Sequence, residues 1–95
     1  MNPRTFALLQ EMRDAATTAK NAVTDVYNII SEYAITDDVY EVSALEAVVD
    51  YLSTLNIVFN HTEIDKDDMT GGTAIVVIYC GGHIQMIEWE YKRGV

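Results

Sequence analysis

No lysine or arginine occurs between Lys20 and Lys66, and those forty-five residues carry nine carboxylates: Asp25, Glu32, Asp37, Asp38, Glu41, Glu46, Asp50, Glu63 and Asp65. Elsewhere six acids meet six bases, so the whole formal charge of -9 resides in one contiguous half of the chain. A block of one sign on a folded chain sets up a field that attracts cationic partners and repels nucleic acid and anionic membrane.

Cysteine is nearly absent. Cys80 is the single one, which excludes an intrachain disulfide and suits a reducing compartment. Long apolar runs are missing too. Phe6 to Leu9 is too short for the apolar region of a signal peptide, and the longest run, Ala74 to Cys80, falls far below the roughly 20 residues of a membrane span. The expected location is the cytoplasm, where the sequon Asn60-His61-Thr62 has no glycosylation role. Phosphate-binding and nucleophile-elbow motifs are also lacking, and Gly71-Gly72-Thr73 leads into a strand rather than a helix, so it makes no phosphate cradle.

What is present describes one small globular domain covering residues 1–95. The chain is 49% apolar and 22% charged, a balance that folds. A domain of this size buries about 60–70% of its unfolded surface, which leaves little core for a deep, desolvated active site.

Asn2 before Pro3 reads as an N-cap followed by proline at the first helical position. The apolar positions Leu9, Met12, Ala16, Ala19, Val23, Val26, Ile30 and Tyr33 then step by three and four, predicting a long helix with one apolar seam. Ala15, Ala16, Ala19 and Ala22 make its middle narrow enough for close approach. Ser43 to Glu46 reads as a capping box opening a second helix from about Ala44 to Leu55, with Asn56 as its stop. Asp38 with Glu41 is a competing cap that would start it at Val39.

After Asn56 the period shortens to two. Ile57 to Ile64, Thr73 to Cys80 and His83 to Tyr91 read as strands, and Gly81-Gly82 as a two-residue hairpin loop. That loop pairs Cys80 with His83, Ile78 with Gln85, Val76 with Ile87 and Ala74 with Trp89. The expected fold is α+β, two N-terminal helices packed on a three-stranded antiparallel β-meander in the order α-α-β-β-β. Helices cover one sheet face, yet both faces are apolar: Val76, Ile78, Ile87, Trp89 and Tyr91 on one, Ile75, Val77, Tyr79, Ile84 and Met86 on the other. The second face predicts a homodimer or a partner surface, unless the long helix wraps around to cover it.

Candidate chemistry is sparse. Cys80 and His83 meet across the hairpin, but a nucleophile pair also needs an oxyanion site, and the pair reads as a half-buried thiol beside a turn histidine. With one Cys and two His no ordinary zinc site can form. Asp65 to Gly72 fails as a calcium loop, because Met69, Thr70 and Val76 stand where an oxygen ligand, glycine and bidentate glutamate are required. The carboxylate pairs Glu88 with Glu90 and Glu46 with Asp50 could serve acid–base work, but such pairs are commonplace in an acidic chain. No catalytic residue, cofactor or metal is expected.

The acidic window is the functional feature. It discards the i, i+4 ion pairs of ordinary solvated helices, and tyrosines 27, 33, 40 and 51 are interleaved with its acids, a pairing suited to interfaces. The expected partner-binding residues are Asp25, Glu32, Tyr33, Asp37, Asp38, Tyr40, Glu41, Glu46 and Asp50. From Asp25 to Asp50 seven carboxylates lie on a hairpin about 20 Å long, hence one charge per about 3 Å, against about 1.7 Å for duplex DNA. A DNA mimic of this density plugs a compact basic pocket rather than a long duplex track.

In size, charge and lack of catalytic motifs the chain resembles phage-encoded inhibitors of host defence, the anti-CRISPR and anti-restriction proteins. That resemblance rests on no shared motif and transfers no residue roles. It implies an inhibitor that occupies a basic, nucleic-acid-handling site on a partner protein in the host cytoplasm. The alternatives are an immunity protein or antitoxin that neutralises a basic toxin, and a small enzyme using Cys80 and His83.

Overall fold

Pro3 sets the first turn of α1, Pro3–Ser31, and the Asn2 side chain accepts from the Arg4 N–H at 2.8 Å, meeting one of the donors that a helix start leaves open. The computed structural model describes residues 2–67 and 71–92. The remaining elements are β1 (Val39–Glu41), α2 (Ser43–Ser53), β2 (Val58–Asp67), β3 (Gly71–Cys80) and β4 (His83–Lys92). The architecture is mixed α+β, an N-terminal helix on a four-stranded sheet of order β1-β4-β3-β2.

Two expectations need correction. The sheet is not a three-stranded antiparallel meander, because β1 adds a fourth strand that runs parallel to β4, with Val39, Tyr40 and Glu41 opposite Glu90, Tyr91 and Lys92. A three-residue strand is too short to show a period. It is held on its other side by the chain leaving α1: Glu41 N–H donates to Tyr33 C=O and Ile35 N–H to Val39 C=O, both at 2.8 Å. Nor does the capping box form. β1 ends one residue before the joint, Val42 already has helical φ and ψ and gives no side-chain cap, and Ser43 therefore falls inside α2. The competing start at Val39 is a strand.

The hairpin register is the expected one, with Cys80 on His83, Ile78 on Gln85, Val76 on Ile87 and Ala74 on Trp89. β2 and β3 run further toward their connection than anticipated, and the ladder shifts between Ile64 and Asp67. The rejected calcium loop includes residues 68–70, which lie outside the described residues. Asn56 has φ of 55°, the left-handed conformation in which asparagine is tolerated after a helix.

The core lies between the helices and the inner sheet face. Ala22, Val26 and Ile30 of α1 and Leu45, Val48 and Leu52 of α2 close over Ala74, Val76, Ile78, Ile87, Trp89 and Tyr91. Gly81 at the hairpin tip meets Ala15 so closely that an added methyl would overlap its side chain, the close approach which the alanine-rich middle of α1 permits. The helix runs on past the tip toward Pro3, which accounts for a long axis of 58 Å against 21 and 20 Å. α1 does not wrap to the second face. Val58, Ile84 and Met86 remain about two-thirds exposed there, and Tyr79 is exposed beside them.

Candidate functional site

The parallel pairing of β1 has a chemical consequence. Asp37 and Asp38, in the turn leading into β1, arrive beside the end of β4, where alternation places Glu88 and Glu90 on the outer side and Trp89 on the core side. Together with Tyr27 and Ile30 of α1 and with Tyr40, these residues line a notch of about 270 Å³. Asp37 and Asp38 thus border a cleft beside two tyrosines, while Glu88 and Glu90 line its β4 side and send their carboxylates to the outer face. Ordinary small-molecule pockets span about 300–1,000 Å³, so the notch is sized for a single side chain rather than a free metabolite.

Its chemistry favours a large, flat cation. Tyrosine faces attract guanidinium and ammonium groups, and carboxylates accept the forked donors of arginine. The acids do not converge on a point, since among the described residues no group of three or more His, Cys, Asp or Glu is arranged to hold a metal ion. Trp89 is only 5% exposed, and its indole N–H has no acceptor, an unmet donor of a kind that folded proteins rarely tolerate.

The residues expected to bind a partner divide into separate groups. Asp37, Asp38 and Tyr40 enter the notch. Glu46 lies instead on a wider groove of about 500 Å³ between α2 and β2, with His61 and Glu63. Glu32 caps the C-terminus of α1, an unfavourable place for a negative charge, and it is exposed there, as are Glu41 and Asp50. Tyr33 is half-buried, and its carbonyl holds β1. Asp25 accepts a hydrogen bond from the Tyr51 hydroxyl, so one of its oxygens ties α1 to α2. The Tyr51 phenol is pushed up to about 12, first by that hydrogen bond and then by burial and the carboxylate charge.

Glu88, Glu90, Trp89 and Tyr27 were missed as site residues. The hairpin reads as charge-balanced in sequence, and only the parallel placement of β1 brings its Glu88–Glu90 stretch beside Asp37 and Asp38. Cys80 and His83 are paired residues at the closed end of the hairpin, both half-buried. No helix among the described residues is long and apolar enough to cross a membrane. Comparison with protein-family models, curated proteins and solved structures finds no match to this chain.

Proposed function

We propose that the protein is a non-enzymatic binding protein whose acidic half occupies a basic site on a partner protein, in the manner of a phage-encoded anti-CRISPR or anti-restriction inhibitor. The observation that carries this reading is that Asp37, Asp38, Glu88 and Glu90 meet with Tyr27 and Tyr40 along one notch at the end of β4. The acidic window contains no lysine or arginine to neutralise its members of that group. Desolvating such a group is costly unless a cation arrives with the partner, which gives the site selectivity for basic surfaces. A homodimer through the outer sheet face belongs to the same reading.

The test is affinity capture from host lysate at low and high salt, with bound proteins identified by mass spectrometry. Nucleic-acid-handling proteins should be retained by the wild type at low salt, released at high salt, and lost with Asp37→Lys/Asp38→Lys/Glu41→Lys. Equal recovery by the triple variant would sink the reading.

A further inference from the structure

Gly81 and Gly82, with φ of 55° and 89°, match the mirror-image turn of a tight hairpin. Such a loop closes on a hydrogen-bonded pair, here Cys80 and His83. Alternation along the antiparallel ladder then turns the backbone groups of Gln85, Ile87 and Trp89 toward β3, and those of Ile84, Met86 and Glu88 away from it. β1 meets β4 only from Glu90 to Lys92. Among the described residues, no other backbone pairs with the edge from His83 to Trp89. About 20 Å of strand edge is therefore open, flanked by Ile84 and Met86, each 64% exposed.

Unpaired strand edges are templates for further strands, and proteins usually blunt them. On the opposite edge β2 runs in register from Val58 to Ile64 before the ladder shifts toward Asp67. What sets the β4 edge apart is that its far end runs into the acidic notch. We propose that the open edge of β4 accepts an extended segment of a partner protein as an added strand, with an arginine of that segment placed opposite Glu88, at the end of the edge that borders Asp37 and Asp38.

Strand addition supplies main-chain hydrogen bonds, while pockets along the edge supply specificity. Here Ile84 and Met86 offer apolar contact on the outer face, and Glu88, two residues on along the same face, offers a carboxylate that selects the cation. A second copy of this chain is the poorer occupant. No lysine or arginine occurs from Gly71 to Tyr91, and two copies pairing antiparallel about Met86 would set Gly82 of one against Glu90 of the other, leaving the carboxylates unmatched.

This inference rests on the reading of the protein as a binder of basic partners, and amide hydrogen exchange separates the two. The probe is the capped peptide Arg-Thr-Val-Thr-Val-Thr, which sets its arginine opposite Glu88 when it pairs antiparallel to β4. Amides of Ile84, Met86 and Glu88 should exchange rapidly in the free full-length protein and become protected at saturating peptide. Glutamate in place of the arginine should weaken binding at least about tenfold, as expected for loss of a charged hydrogen-bonded contact.

Met86→Pro removes an outward N–H without touching the β3 ladder, a position where proline is tolerated. It should leave the circular dichroism spectrum unchanged and abolish peptide binding. Unprotected edge amides at saturating peptide would overturn the proposal, as would undiminished binding by Met86→Pro. Concentration-dependent protection without peptide would overturn it too, by giving the edge to a second copy. Partner capture that persists in Met86→Pro but fails in the Asp37, Asp38 and Glu41 triple variant would refute the added strand alone. Capture that survives the triple variant would refute the underlying reading.

Discussion

The Tyr51 hydroxyl of α2 donates to the Asp25 carboxylate of α1, tying the two helices together at a polar contact beside their shared apolar seam. The bond favours the neutral phenol, so the folded-state pKa lies at about 12 against an ordinary value of 10.0. A group whose folded pKa is raised adds stability that is complete below its unfolded pKa and is lost as pH rises through the folded value. Tyr51→Phe should therefore destabilise by about 0.5–1.5 kcal/mol at neutral pH, with the difference from wild type shrinking between about pH 10 and 12. Denaturant titrations at several pH values measure it. Phenolate absorbance should show Tyr51 titrating late, and Asp25→Asn should bring it back toward 10.

The hairpin tip offers a second test. Gly81 and Gly82 both have left-handed φ, but a methyl at Gly81 overlaps Ala15 while one at Gly82 meets nothing. Gly82→Ala should cost the backbone penalty alone, about 1–2 kcal/mol. Gly81→Ala should cost more, because α1 must also shift. Adding Ala15→Gly should recover part of the Gly81→Ala loss and none of the Gly82→Ala loss, a coupling that a double-mutant cycle reads directly.

Much of this arrangement was legible in the sequence where side-chain pattern repeats. The hairpin register followed from the two glycines and from alternation, and the uncovered outer face from the apolar residues at both parities of β3. β1 was not legible. Val39-Tyr40-Glu41 is too short for a period, and its partners are a strand fifty residues later and a backbone stretch at Tyr33 to Thr36 that carries no strand signal. The candidate site inherits that gap. Its acids at Asp37 and Asp38 stand out as charge, whereas Glu88 and Glu90 join them only through a parallel pairing that no local pattern encodes. Ser43 and Glu46 failed as a capping box for the same reason, since β1 dictates where the chain can turn into α2.

Burial separates two substitutions that look alike in hydrophobicity. Leu52 is fully buried between α1, α2 and the sheet, while Ile84 is 64% exposed on the outer face. Leu52→Ala should cost about 2–5 kcal/mol, and Ile84→Thr should change stability by no more than about 0.5 kcal/mol. Urea midpoints of the two variants measure the contrast, and similar losses would mean that the outer face is covered in solution.

That face and the acidic notch should respond to salt in opposite directions. Three strands of ten residues present about 33 by 14 Å, or about 450 Å² per copy, short of the roughly 800 Å² per partner of a standard interface. Two copies meeting there also bring together charges of -9 each, whose repulsion fades only as the Debye length falls below about 10 Å near 0.1 M salt. Self-association should therefore be weak, concentration-dependent and promoted by salt. Binding of an arginine-bearing peptide at Glu88, beside Asp37 and Asp38, should be weakened by the same salt, because there the attraction is what salt screens. Tyr79→Lys, on the central strand of the outer face, should abolish the salt-promoted association in light scattering while leaving peptide affinity within about twofold, since rim and remote charges alter affinity little. If added salt moved both equilibria the same way, the division of the surface into an apolar face for self-association and an acidic notch for a cationic partner would not stand.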